Sequence, residues 1–181
     1  MKKIEGNSEF LLVPLDRIGA IIGKRGLTRR EIELKTQTLL KVDSTEGEVE
    51  IFQKGSALLF FKATRVIKAI ARGFAPEKAF RLINEEVFFE LIDLKDILGK
   101  NESNMKAKKG RVIGAKGKAR EEIESESGAN ISVYGKTIGI IGTENEIFEA
   151  KKAVNMLLGG ASHTAVYTSI KKDFENENFE L

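Results

Sequence analysis

Alternating hydrophobic and polar residues predict two β-hairpins, one in each half of the chain. The alternating segments flank short turn-forming sequences, at 39–43 with 48–52 and at 130–134 with 137–141. A side-chain period of two is typical of strands that bury one face. A single strand is predicted ahead of each hairpin, at 9–14 and at 87–93.

Apolar residues at helical spacing predict helices before and after the hairpins. The predicted helices cover 15–22, 28–36, 57–72, 76–84, 105–113, 118–127, 144–158 and 164–174. Thr28, with Glu31 three residues later, has the pattern of a capping box, which would start the second helix at Thr28. Gly73 and Gly128 each follow a helical run and predict its end. The segment 94–103 has no clear period, and we assign no element to it.

A Gly-x-x-Gly loop occurs twice, at 23–26 and at 114–117, and each copy leads into a predicted helix. The two copies lie 91 residues apart, and their register holds without a gap from Ile22/Ile113 to Val42/Val133. This spacing is too long for a solenoid repeat and suits two small domains. We therefore predict an α+β fold with two domains, 1–84 with a connector helix and 85–181 with a C-terminal tail. Each is expected to form a three-stranded sheet with helices packed on one face.

Composition narrows the possible functions. The 181 residues include no cysteine and one histidine, His163, which is too little for a thiolate or histidine metal site or a Ser-His-Asp triad. We expect no enzymatic activity, no metal and no cofactor. The N-terminus lacks the apolar run of a signal peptide, and no apolar stretch approaches the ~18 residues of a membrane span. A cytoplasmic location without a membrane partner is expected.

Positive charge is concentrated at the repeated loops, although the net charge is only +3. Between Arg17 and Arg30 there are five basic residues and no acidic one, and between Lys106 and Arg120 there are seven basic residues and no acidic one. Acidic residues resume directly behind both clusters. The loop side of each domain is therefore predicted to attract a polyanion.

The loop and the helix after it together predict a phosphate site. Glycines allow close approach of the backbone, and the first N–H groups of a helix favour an anion. Adjoining apolar residues are expected to form a floor for unstacked bases, namely Ile22, Ile32 and Leu40 in the first half and Ile113, Ile123 and Ile131 in the second. The candidate nucleic-acid-binding residues of the first half are Ile22, Gly23, Lys24, Arg25, Gly26, Arg29 and Arg30. Those of the second half are Lys108, Lys109, Arg111, Ile113, Gly114, Ala115, Lys116, Gly117, Lys118, Arg120 and Ile131.

The second half resembles a type I KH domain from Val112 to Val133. An apolar pair, Gly-x-x-Gly, Ile123 and a Ser-Gly-Ala-Asn-Ile strand entry follow the family pattern in order. The first half matches over 21–42 more loosely, because Gln37-Thr38-Leu39 replaces the Ser-Gly-Ala entry. The resemblance implies two tandem type I KH domains, each clamping about four nucleotides of single strand at its loop.

The tandem pair is also similar to a narrower group, the archaeal KH proteins related to the eukaryotic rRNA-processing factor known as the partner of Nob. Arg29 and Arg120, each third after its loop, and the run 130–137 carry this likeness. It implies binding of single-stranded RNA near the 3′ end of small-subunit rRNA during ribosome biogenesis. A Nob-type nuclease or a translation initiation factor is an implied protein partner.

An adaptor whose KH domains mainly bind such a protein is the alternative function. The second half has the fuller motif and more basic residues, so we predict that it is the principal RNA site.

Overall fold

The computed structural model describes residues 7–99 and 101–177. The chain divides into two compact units, Met1–Val87, here called unit 1, and Phe88–Leu181, here called unit 2.

Unit 1 follows the predicted order of strand, helix, loop, helix, hairpin and helix. Its strands are β1 (Ser8–Leu12), β2 (Thr38–Asp43) and β3 (Glu48–Gln53), and its helices are α1 (Leu15–Ile22), α2 (Leu27–Thr36), α3 (Ala57–Ala71) and α4 (Pro76–Ala79). The predicted connector helix at 76–84 is one α-helical turn followed by a 3-10 turn, Phe80–Ile83. The hairpin turn is closed by Asp43, whose carboxylate accepts from the backbone N–H groups of Glu46 and Thr45, which lower its pKa.

Unit 2 repeats the same order with additional helices. Its strands are β4 (Phe88–Asp93), β5 (Asn130–Tyr134) and β6 (Thr137–Gly142), and its helices are α5 (Leu94–Leu98), α6 (Glu102–Ile113), α7 (Lys118–Ser127), α8 (Glu144–Gly159) and α9 (His163–Glu177). The unassigned segment thus contains α5 and the start of α6, each capped by an aspartate or asparagine side chain. Short polar caps, not apolar periodicity, define these two helix starts.

Both sheets are antiparallel and place the last strand of the hairpin in the middle. The strand order is β1-β3-β2 in unit 1 and β4-β6-β5 in unit 2. Leu40 pairs with Ile51 in the first hairpin, and Ile131 pairs with Ile140 in the second, so all four lie in the core. The predicted α+β fold with two three-stranded sheets is confirmed. The helix that follows each Gly-x-x-Gly loop, α2 or α7, is here called the loop helix. The strand after it, β2 or β5, is an edge strand of its sheet.

The helix ends correct one detail of the sequence prediction. Thr28 does not cap α2, because the helix begins at Leu27 and its N-cap is Gly26 in the left-handed conformation. The capping box at Thr28 is therefore wrong. A capping box does form at Thr143 and Glu146, which start α8. The predicted helix stops are confirmed, since Gly73 and Gly128 both have a positive φ just after a helix.

Candidate nucleic-acid interface

The two Gly-x-x-Gly loops have nearly the same backbone geometry. The N–H of Gly23 donates to Gly19 O at 2.8 Å and closes α1, and the N–H of Gly114 donates to Gly110 O at 2.8 Å and closes α6. A single 3-10 turn then joins each of these helices to the next. The duplication in the sequence is therefore a duplication of local structure.

The first glycine of each loop is required by close packing. A Cβ on Gly23 would lie 2.8 Å from the backbone nitrogen of Thr28, and a Cβ on Gly114 would lie 2.7 Å from that of Ala119. Both distances are shorter than real Cβ contacts. Each loop thus packs its own backbone against the first turn of the following helix.

The third loop position holds a basic residue in a strained conformation. Arg25 has φ 52° and ψ 29°, and Lys116 has φ 53° and ψ 27°. This left-handed region costs a residue with a Cβ roughly 1–2 kcal/mol. Both side chains are exposed, as are those of Lys24 and Lys118. Each loop therefore presents cations in front of the N-terminus of the next helix, where an anion is favoured.

The predicted apolar floor is mostly part of the core. Ile32 and Ile123 are completely buried, and Leu40 and Ile131 are 3% and 2% exposed. These four side chains are not available to a base, so this expectation is wrong for them, including the candidate site residue Ile131. The floor residues that remain accessible are Ile22, which is half-buried, and Ile113, which is exposed.

Two of the predicted basic residues are engaged within unit 2. Arg111 donates through Nε to Leu157 O at 3.1 Å and through Nη2 to Ala161 O, at the end of α8. Lys109 donates to Gly135 O at 2.8 Å, in the β5–β6 turn. Arg111 therefore anchors a helix end, and sequence reasoning missed this role because its carbonyl partners lie far away along the chain.

In unit 1, Arg17 anchors a helix end in the same way. Arg17 donates through Nε to Ile70 O at 2.9 Å and through Nη2 to Phe74 O at 2.7 Å, at the end of α3. It does not occupy the repeat position of Arg111, since Arg17 aligns with Lys108. The anchoring contact is therefore similar in the two units although different positions supply it.

A second duplicated contact connects each loop helix to its edge strand. Glu33 accepts a hydrogen bond from Leu40 N at 2.9 Å, and Glu124 accepts one from Ile131 N at 2.7 Å. Arg29 and Arg120 stand one helical turn earlier, and the Nε of each lies 4.0 Å from the carboxylate of that glutamate. The sequence predicted the arginines as binding residues and missed the glutamates.

Comparison with known proteins identifies the family. Residues 88–174 match the family model described as eukaryotic type KH-domain (KH-domain type I), and residues 8–59 match the KH domain model. The KH domain-containing protein MJ0443 of Methanocaldococcus jannaschii is 40% identical over 96% of this chain and 78% of its own length. The chain belongs to the KH-domain family. It has a tandem pair of KH domains, with unit 1 as the first KH unit and unit 2 as the second.

Relatives of the tandem KH pair include proteins named for rRNA processing. The pre-rRNA-processing protein PNO1 of Phaeosphaeria nodorum is 24% identical over 77% of this chain and 51% of its own length. This chain spans about half the length of that relative. A chain in the crystal structure of the a/eIF2alpha-aDim2p-rRNA complex from Pyrococcus horikoshii OT3 is 40% identical, with a TM-score of 0.87, over 97% of this chain and 98% of that one. The predicted resemblance to PNO1-type KH proteins is confirmed.

The two KH units differ on the exposed face of the loop helix. Leu27 and Leu34 of the first unit are 59% and 80% exposed. The repeat register places Lys118 and Ser125 at these positions in the second unit. The first unit therefore presents apolar surface where the second presents a cation and a hydroxyl.

Two further findings complete the description of the KH pair. Within residues 7–99 and 101–177, no three histidine or acidic side chains cluster as a metal site would require. None of the helices in the described part of the chain has the length and apolar character of a membrane crossing.

Proposed function

We propose that this chain binds single-stranded RNA near the 3′ end of small-subunit rRNA, through its Gly-x-x-Gly loops, during rRNA processing. The observation that carries the proposal is the duplicated loop. In both units the loop backbone, the N-terminus of the following helix and an exposed basic side chain lie together. Phosphate binding needs this combination of N–H donors and positive charge. The rRNA in the complex with aDim2p and the name of the PNO1 relative support the choice of RNA.

The proposed contacts are the candidate residues of the two loops, together with the candidates beside the loops that have accessible side chains. In the first unit these are Ile22, Gly23, Lys24, Arg25, Gly26, Arg29 and Arg30, and in the second they are Lys108, Ile113, Gly114, Ala115, Lys116, Gly117, Lys118 and Arg120. Arg111 is assigned to the fold because its Nε and its Nη2 each donate to a backbone carbonyl. Lys109 can exchange its single bond to Gly135 O for a phosphate.

We expect single-stranded RNA of the 3′ end to bind more tightly than its duplex and more tightly than an internal rRNA fragment. Bases in a duplex are stacked and their edges are paired, so they cannot enter a KH groove. If four to six phosphates are neutralised, log K should fall against log salt with a slope of roughly −3 to −4. Fluorescence anisotropy titrations at several salt concentrations measure both quantities. Equal affinity for duplex and single strand would contradict the proposal.

A translation initiation factor as protein partner of the first KH unit is the second candidate function. The exposed Leu27 and Leu34 favour it, since large apolar side chains on the surface suit a protein contact. The complex that contains a/eIF2alpha together with aDim2p supports this class of partner. A Nob-type nuclease stays a prediction from the family resemblance. Replacing Leu27 and Leu34 by the Lys and Ser of the second unit should abolish such an interaction and leave RNA binding intact.

Replacing Lys116 by Gly should stabilise the fold and weaken RNA binding at the same time. Glycine removes the left-handed strain, and the free energy of unfolding should rise by about 0.5–1 kcal/mol after the greater freedom of unfolded Gly is subtracted. Loss of one charge-assisted phosphate contact should lower affinity by about 10-fold. Urea denaturation and anisotropy titration of the same sample measure the two effects.

Gln37→Gly is the matched control for this prediction. Gln37 ends α2 with φ 49°, and the repeat register places Gly128 at its position in unit 2. The variant relieves the same kind of strain outside the Gly-x-x-Gly loops and removes no charge, so stability should rise without the loss of a phosphate contact. If Lys116→Gly binds RNA as tightly as the wild type, the loop cation has no part in binding.

A further inference from the structure

In each KH unit a glutamate accepts a hydrogen bond from an edge-strand backbone N–H that faces away from the sheet. β2 and β5 pair with the sheet on one side only, so the backbone groups on their other side face outward. The N–H of Leu40 and that of Ile131 lie on this outer side, where the glutamates accept their hydrogen bonds. In an antiparallel strand the C=O of a residue points to the same side as its N–H.

The side chains of both glutamates are largely buried, and Glu33 also lines a groove. Glu33 is 18% exposed and Glu124 is 13% exposed. In the first unit Glu33 lines an open groove of about 540 Å³ together with Arg30, Leu34 and Lys54. The groove is bounded by α2, which is the helix that begins at the loop, and by the start of β2.

The arginine one turn before each glutamate strengthens this arrangement. Within the described residues, the Nε atoms of Arg29 and Arg120 are buried and make no hydrogen bond, while the side chains are 43% and 37% exposed. At 4.0 Å the guanidinium neighbours the carboxylate without bonding it through Nε. The same three-residue set thus recurs in both units, 91 residues apart.

We propose that Glu33 and Glu124 are specificity-determining residues that select against uracil at the edge strand of each KH unit. With the N–H of Leu40 or Ile131 taken by the carboxylate, the strand edge offers acceptors at this register. A base bonding here must therefore present a donor. Cytosine presents an exocyclic amine with two N–H donors at its 4-position. Uracil has a single donor on this edge, N3–H, which lies between two carbonyl oxygens that the carboxylate repels. The inference rests on the proposed RNA-binding function.

Cytosine and uracil oligomers test this selectivity, because the two bases have nearly the same size and differ at the 4-position. Fluorescein-labelled octamers of cytidine and of uridine are titrated with the full chain. We expect the wild type to bind the cytidine octamer about 10-fold more tightly, the discrimination of one good base contact. In a Glu33→Gln, Glu124→Gln variant this ratio should fall toward one. Each glutamine keeps a carbonyl oxygen for the strand N–H and adds an amide donor for uracil.

Glu31→Gln, Glu122→Gln is the matched control variant. Glu31 pairs with Lys35 at 3.6 Å, and Glu122 holds the equivalent position in the repeat. This variant removes the same two charges from the same helices without touching the strand edge, so it should keep the wild-type ratio.

The outcomes separate the inference from the proposed function. Equal wild-type affinity for both octamers overturns the inference and leaves RNA binding standing. An unchanged ratio in Glu33→Gln, Glu124→Gln, with only a lower unfolding midpoint, shows a purely structural role and also overturns it. Failure to bind either octamer or the rRNA fragment overturns the proposed function, and the inference with it.

Discussion

Replacing both Ala115 and Lys116 by Asp is expected to weaken binding of single-stranded RNA by about 100-fold or more. The change puts two carboxylates where we place the phosphate and removes one exposed cation. Each lost charge-assisted contact is worth about 1.5–3 kcal/mol, and every 1.4 kcal/mol is about tenfold. Because the glycines remain and Ala115 and Lys116 are exposed, the fold should be retained. Anisotropy titration and circular dichroism measure the two properties.

The matched change in the first KH unit ranks the two loops. Lys24→Asp, Arg25→Asp introduces the same carboxylates at the equivalent positions, which are also exposed. We expect a smaller loss of affinity, since the first loop region has five basic residues against seven in the second. A larger loss from the first loop than from the second, with both variants folded, would reverse our ranking.

The features that followed from sequence are those fixed by local chemistry. The helices around both loops and the two hairpins depend on side-chain period and on Gly-containing turns, and both signals act within a few residues. Gly128 illustrates this, because a helix followed by a left-handed glycine ends where the sequence predicts. The repeat then allowed one half to support the interpretation of the other.

The features that could not be predicted from the sequence depend on contacts between residues that lie far apart along the chain. Arg111 bonds carbonyls at Leu157 and Ala161, about 50 residues away, and nothing near Arg111 distinguishes it from a phosphate-binding arginine. Ile131 was expected to face a base, but pairing with Ile140 turns its side chain into the core. The strand edge beside it is accessible only through the backbone, which Glu124 contacts.

Thr28 shows how local chemistry can be misread. Its hydroxyl and Glu31 have capping-box spacing, but the loop already supplies the helix start, with Gly26 at φ 76° and ψ 17°. Thr28 lies inside the first turn, packed closely against the backbone of Gly23. The glycine pair sets the helix start here, and the polar cap has no role.

Replacing the first glycine of a loop should destabilise its KH unit far more than replacing the second. Gly23 has φ 70° and ψ 175°, a region essentially confined to glycine, and an added Cβ would lie 2.2 Å from Thr28 Oγ1. Backbone strain and overpacking each cost about 1–3 kcal/mol, so Gly23→Ala should lower the free energy of unfolding by roughly 3 kcal/mol or more. Around Gly26 the nearest atom to an added Cβ is Arg30 Nη2 at 4.0 Å. Gly26→Ala should therefore cost only the left-handed conformation, about 1–2 kcal/mol.

The second unit provides an independent repeat of this comparison. A Cβ on Gly114 would lie 2.6 Å from Ala119 Cβ, whereas one on Gly117 would meet nothing closer than Glu121 Oε1 at 3.6 Å. Urea denaturation of all four alanine variants should give the same order in both units, with Gly23 and Gly114 the more costly. Equal losses at the two glycines of a loop would mean that the loop backbone moves away from the helix to admit a side chain. In that case the backbone N–H groups that we propose bind the phosphate would not be held in a fixed position by this packing.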